Sequence, residues 1–331
     1  MKITFFIRSN KGAISIGKLF RPLIKEIGRT EQVETFYMPS ENYGINGIIK
    51  NLWFTFRHRN KKGVTHITGD CHFIIFALIG CKTVLTVHDL GFYTEHLQEL
   101  SWLKRKALYY LQIYYPIKLA TRVIAISEKT KQEILYIIPF RREIDIAKHV
   151  SIDAFPYTPR LLNKQMVRIM QCGTSKNKNL ETTIKALANT NYELRVVRKM
   201  SKSQEELAKV NNVIFSNVYN LTDEQMTKEY QDADIVVMPS LYEGFGAMVI
   251  EAQATGRPVI TTDREPMSSI SGGAAYLLKD PLDVGELKNA IKKIIHDDDY
   301  RNFLVNNGRV NASKYTLANC AKEHIDIYRT I

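Results

Sequence analysis

Cysteine is scarce: four in 331 residues, Cys71, Cys81, Cys172 and Cys320, far apart and without a C-x-x-C pair. That spacing offers neither a structural zinc site nor a disulfide framework, and it fits a reducing cytoplasm. Long hydrophobic runs are missing too. The longest, Phe73 to Ile79, falls short of the roughly 20 residues that a membrane helix takes. The opening stretch MKITFFIRSN has too brief an apolar run before Arg8 for a signal peptide and reads as a first buried strand. No G-x-G-x-x-G follows that strand, where Gly12 stands almost alone, so the dinucleotide-binding pattern of an NAD-dependent enzyme is absent. No divalent-metal site is expected. Internal repeats, low-complexity tracts and recognised nucleic-acid-binding modules are also lacking.

What is present describes a globular α/β protein long enough for two domains: 45% hydrophobic and 24% charged residues over 331 positions. The net charge of +12 is unevenly spread. Residues 1–150 hold 23 Lys and Arg against 12 Asp and Glu, whereas residues 151–331 hold 23 against 22. Such asymmetry suggests that the first half meets something anionic, a nucleic acid, a membrane surface or a phosphorylated acceptor, or else simply carries solvated charge.

The most informative stretch is Asp234 to Thr262, DIVVMPSLYEGFGAMVIEAQATGRPVITT. Ile235 to Met238 reads as a buried strand, Pro239 to Gly246 as a glycine-bearing loop, Ala247 to Thr255 as a helix stopped by Gly256 and Pro258, and Val259 to Thr262 as a second strand. Such a unit presents N–H groups and the positive end of a helix dipole at the carboxyl edge of a sheet, which suits a phosphate. Glu243 in the loop and Glu251 in the helix are suited to vicinal hydroxyls, because one carboxylate accepts two hydrogen bonds at once. One such diol is a ribose.

This string closely resembles the E-x7-E signature of retaining glycosyltransferases of the GT-B fold, family four (glycosyl transferases group 1). It reads here P-S-x-x-E-G-F-G-x-x-x-x-E-A-x-x-x-G-x-P-V-I. The resemblance implies that Glu243 and the loop of Gly244, Phe245 and Gly246 face the donor sugar, and that Glu251 binds the nucleotide ribose. A second string, Cys172-Gly173-Thr174-Ser175-Lys176-Asn177-Lys178-Asn179-Leu180, lies between strand Val167 to Gln171 and a helix. A basic loop there is a pyrophosphate site by geometry. It resembles the family's G-R…K-N-L loop, with Lys178 at the lysine, Thr174 at the arginine and Lys176 as a replacement charge. Arg198 and Lys199 follow the strand Leu194 to Val197 where relatives commonly have a glycine, and either could reach the phosphates. Tyr219 to Leu221, with Tyr219 and Leu221 as contacts, would line the base pocket.

In the first half, strand Thr83 to Val87 runs into His88-Asp89, a position that points into the crevice of a doubly wound sheet. T-V-H-D-L resembles the family's N-domain motif, which puts His88 beside the donor sugar with Asp89 capping the turn or orienting it; Gly12 is a reduced copy of the family's glycine loop. Two segments mix rings and cations. Ile48 to Lys62 carries Leu52, Trp53, Phe54 and Phe56 with six basic or histidine side chains, and Ser101 to Ala120 carries Trp102, Lys104, Arg105, Lys106 and four tyrosines. Each is either an interfacial segment for anionic lipid or an ordinary helix whose aromatics join the core. Ser127 suits the N-cap of a following helix.

Taken together, the expected fold is GT-B: two Rossmann-like doubly wound domains facing a cleft. Residues 1–147 form an acceptor-side domain, 148–165 a linker marked by prolines, and 166–331 the nucleotide-sugar domain, with the last helix crossing back. The resemblance implies a metal-independent, cofactor-free retaining hexosyl- or N-acetylhexosaminyltransferase. Its donor would be a nucleotide sugar and its acceptor a lipid-linked saccharide in bacterial surface polysaccharide assembly. It would be cytoplasmic, at the inner face of the membrane, contacting anionic lipid through the basic half, without nucleic acid. Catalysis would fall to His88, Glu243 and Lys178. A non-catalytic nucleotide-sugar-binding subunit and a nucleotide-sugar epimerase of the same fold are the competing expectations.

Overall fold

A computed structural model describes residues 1–8, 14–41, 44–88, 90, 101–138 and 143–331. Gly12 and Asp89, named above, lie outside the described residues. The chain divides into two compact units, Met1–Ser151 with Leu317–Ile331, and Ile152–Thr316.

The first unit is built on a parallel sheet of β1 (Lys2–Ile7), β2 (Gln32–Tyr37), β3 (Val64–Ile67), β4 (Lys82–Val87), β5 (Arg122–Ala125) and β6 (Ile144–Ile146), in the order β2-β1-β3-β4-β5-β6. The central strands are buried along nearly their whole length, as strands covered by helices on both faces must be. The terminal helix Leu317–Arg329 completes this unit by packing Cys320, Ala321, Ile325 and Tyr328 against Phe5, Phe20 and Leu23. Its Tyr328 hydroxyl lies 2.6 Å from Nδ1 of His66, whose Nε2 lies 2.7 Å from the Thr86 hydroxyl. A histidine inside a central strand is thereby satisfied at both ring nitrogens.

The segment expected as one helix over Ser101 to Ala120 is instead two α-helical pieces, Trp102–Tyr109 and Tyr115–Leu119, joined by a π-helical turn at Tyr110–Tyr114. Pro116 has no N–H to give the Gln112 carbonyl, and that carbonyl accepts from Nδ1 of His72 at 2.9 Å instead. The acidic turn Asp297 to Asp299 starts a helix. Asp297 caps the helix Asp298–Ala312, accepting from Tyr300 N at 2.9 Å.

The second unit carries β7 (Arg168–Cys172), β8 (Glu193–Val197), β9 (Ile214–Val218), β10 (Ile235–Met238), β11 (Val259–Thr262) and β12 (Tyr276–Leu278). All pair in parallel in the order β12-β11-β10-β7-β8-β9. Succession reverses between β7 and β10, so the loops leaving these two strands part to opposite faces and open a crevice at the carboxyl edge. The helix Ala247–Thr255 is buried on several sides, with Val249, Ile250, Ala252 and Ala254 in the core. Burying each large aliphatic side chain stabilises by about 1.5–3 kcal/mol, which fixes the loop before it as firmly as the strand.

Candidate functional site

The crevice between β7 and β10 is assembled by hydrogen bonds between its two loops. Leu241 N donates to Asn177 O at 2.8 Å, and Asn177 Nδ2 donates to Tyr242 O at 3.2 Å. Asn179 sits in the left-handed region at φ 55°, where asparagine is tolerated better than most residues. Its amide donates to Pro239 O at 3.1 Å and Pro281 O at 2.6 Å, while its side-chain oxygen accepts from Thr182 at 2.7 Å.

On this frame the Lys178 ammonium meets the Glu243 carboxylate at 2.5 Å, the two side chains 21% and 13% exposed. The stem of Lys178 lies over Gly173. A Cβ at that glycine, whose φ is +101°, would come within 2.7 Å of the Lys178 Cγ. The residue must therefore be glycine on two counts, backbone angle and space.

Glu251, in the helix Ala247–Thr255, accepts from the Tyr230 hydroxyl at 2.6 Å. Burial pushes the Glu251 carboxyl up from its ordinary value, opposed by that hydrogen bond and by the charge of Lys178. Gly246 enters the helix at φ +89°, so the first-turn N–H groups open at the same sheet edge as the glutamates. Lys178, Glu243 and Glu251 are thus brought together with Gly244, Phe245 and Gly246.

The other expected contacts lie differently. Lys176 is exposed on a short 3-10 turn, Lys176–Lys178, and forms no ion pair among the described residues. Thr174 turns its hydroxyl onto Lys199 O at 2.8 Å. Tyr219 and Leu221 follow the edge strand β9; Tyr219 is 49% exposed beneath the Lys199 ammonium, 6.0 Å from the ring centre, and Leu221 packs beside the second unit's core. Tyr230, Asn177 and Asn179 carry the site without having been singled out as contacts. For Tyr230 a usable signal is one ring in an otherwise polar helix, DEQMTKEYQD.

In the first unit, His88 directly follows β4 and its Nε2 donates to Thr68 O at 2.8 Å. Its ring stands edge-on to Phe20 and His149, at 5.8 and 5.5 Å. The helix Ile45–Arg57 buries Gly47, Asn51 and Thr55 and exposes Ile45, Ile49, Trp53 and Phe56. Asn51 faces inward because it bonds both N and O of Ser40 at 3.0 Å. Arg57 lies over Trp53 at 5.3 Å and Arg59 over Phe56 at 3.8 Å. The helix Trp102–Tyr109 buries none of its residues, and Lys106 stands 4.9 Å from the exposed Trp102 ring. No helix among the described residues is long and apolar enough to cross a membrane.

Residues 162–311 match the family described as glycosyl transferases group 1. That match takes in most of the second unit and a little under half of the chain. A D-inositol 3-phosphate glycosyltransferase of Corynebacterium urealyticum is 35% identical over 109 residues, 33% of this chain and 26% of that protein. The O-antigen chain mannosyltransferase B of Escherichia coli is 31% identical over 109 residues, 33% of this chain and 28% of that one. The chain thus spans about a quarter of the length of these curated relatives. HepE of Anabaena, solved in complex with UDP and glucose, superposes over 100% of both chains with a TM-score of 0.74 at 14% identity. That likeness shows the fold, a GT-B-like pair of parallel six-stranded sheets.

Proposed function

We propose that this chain is a family-four retaining glycosyltransferase that takes a sugar from a nucleotide diphosphate sugar. The observation that carries the reading is the Lys178–Glu243 pair at the switch point of the second sheet, with Glu251 held by Tyr230 in the helix that opens there. Glu251 would accept the ribose hydroxyls, Lys178 and the helix N-terminus would meet the diphosphate, and Glu243 would take sugar hydroxyls while setting the lysine. The anomeric C–O bond breaks with its electron pair going to the phosphate oxygen. The acceptor hydroxyl oxygen bonds the anomeric carbon on the same face, and its proton goes to that departing oxygen. The largest catalytic contribution is then preorganised positive charge at the leaving group, with His88 positioning sugar hydroxyls.

The test is a calorimetric and thermal-shift screen of nucleotide sugars on the full chain, followed by product analysis with saccharide acceptors. A donor at about 100 times its Kd raises stability by about 2.7 kcal/mol. Lys178→Ala and Glu251→Gln should abolish most of that shift. Conversion of donor without acceptor would establish an epimerase, and binding without turnover a binding subunit.

The acceptor reading is a lipid-linked saccharide, supported by the outward Ile45, Ile49, Trp53 and Phe56 and by Trp102 with its adjoining cations. Rings at headgroup depth with lysine and arginine beside them fit an anionic bilayer surface. Trp53→Ser with Trp102→Ser should weaken sedimentation with phosphatidylglycerol vesicles at least tenfold. Equal sedimentation of the variant, or none by the wild type, would refute the membrane reading.

A further inference from the structure

We propose that Arg198 is the second cation of the diphosphate site, presented by the loop after β8 and held there by Thr174; the inference rests on the donor reading above. The charge present at the crevice calls for it. Lys178 is already engaged by Glu243 at 2.5 Å, and Glu251 stands in the same cluster. Those three groups alone supply no net positive charge against a diphosphate, which carries two or more negative charges near neutral pH.

Arg198 is unusual in its backbone. It sits at φ +100°, and every other non-glycine residue with positive φ among those described is an asparagine: Asn179, Asn189, Asn212 and Asn220. An arginine gains nothing from that region, so the conformation persists only because its surroundings impose it. They do so from both sides. Arg198 N donates to Val218 O at 2.8 Å, and Asn217 Nδ2 donates to Arg198 O at 2.6 Å.

The loop is also fastened to the crevice. Gly173 N donates to Val197 O at 2.8 Å and the Thr174 hydroxyl donates to Lys199 O at 2.8 Å, one on each side of Arg198. The side chain goes toward the cluster. The Cys172 thiol, which ends β7 and is pushed up to about 11 by burial, feels Arg198, Glu251 and Lys178 together. Arg198 is exposed and forms no ion pair among the described residues. Lys199, its neighbour, is taken up over the Tyr219 ring.

The experiment measures binding of UDP, GDP and inorganic pyrophosphate to the full chain by calorimetry. Arg198→Gly should weaken nucleoside diphosphate binding about 10- to 100-fold, the range for a charged hydrogen bond, with the melting temperature unchanged or raised because glycine suits the backbone angle. Arg198→Asn, which tolerates the same angle, gives the same loss if the glycine variant misfolds. Thr174→Ser should keep wild-type binding and Thr174→Val should lose several-fold. Moving the charge, Arg198→Gly with Thr174→Arg, should recover most of the affinity.

Binding by Arg198→Gly within twofold of wild type, while Lys178→Ala loses it, overturns this inference and leaves the donor reading standing. Failure of the wild type to bind any of the three probes removes the donor reading and this inference together.

Discussion

Acid should unfold the first unit while the second stays intact, and the structure sets the size of the effect. His66 and His324 are fully buried and His72 and His149 are each 4% exposed. Burial pushes all four below the ordinary histidine value, His149 to about 3 and His66 well down, with the neighbouring His88 and His324 adding to the shift at His66 and His149. Asp70 beside His72 and Glu323 beside His324 pull the other way without outweighing burial. The unfolded chain therefore binds more protons than the folded one below about pH 6.5, and stability falls as pH drops through that value toward the folded pKa. Between pH 7.5 and 5.5 a histidine that stays neutral in the fold, as His149 does with its value near 3, removes about 1.4 kcal/mol, His66, pushed well down, adds a like amount, and His72 and His324 act in the same direction. That is a large share of the roughly 5–15 kcal/mol by which a domain is stable. The second unit holds only His296, which is exposed. Hydrogen exchange followed by peptide at the two pH values should show protection lost across β3, β4 and β5 and kept across β7, β10 and β11. Equal protection of both units at pH 5.5 would refute the reasoning.

Other perturbations read the site directly. Gly173→Ala places a Cβ 2.7 Å from the Lys178 Cγ at a φ of +101°; it should cost about 1–2 kcal/mol in denaturant melts and displace Lys178, lowering nucleotide diphosphate affinity at least tenfold. Tyr230→Phe removes the donor to Glu251 Oε2 at 2.6 Å, so the carboxyl rises further and donor binding is lost earlier as pH falls. A shift of one unit corresponds to about tenfold in affinity at acid pH, and an unshifted binding profile in calorimetry would remove Glu251 from the ribose contact. Asn179→Ala gives up bonds to Pro239 O, Pro281 O and Thr182 at φ 55°. A destabilisation of about 2–4 kcal/mol is expected in chemical denaturation.

The sequence is most legible where local signals agree with the fold. Ile235–Met238, Ala247–Thr255 and Val259–Thr262 fall at the expected residues, because Pro239, Gly246, Gly256 and Pro258 punctuate an otherwise apolar run. Edge strands escape that reading. β2, with Gln32 and Glu34 exposed, and the three-residue β6 and β12 carry too little apolar pattern to stand out. The break at Tyr110–Tyr114 needed a partner, His72, that stands 40 residues from Gln112 in the chain.

The site divides in the same way. Glu243, Glu251 and Lys178 stand out in the sequence because their strings resemble the E-x7-E and K-N-L patterns. Tyr230, Asn177 and Thr174 act through bonds to residues 21, 65 and 25 positions away, and no local pattern announces such a bond. Arg198 is the sharpest case. A glycine at its position would signal a left-handed turn from sequence alone, whereas an arginine conceals it. Once the angle is known, a backbone that suits glycine but carries a guanidinium poses the question of what the charge is for, and the proposed diphosphate, which Lys178 alone would not balance, is the answer that Arg198→Gly puts to the test.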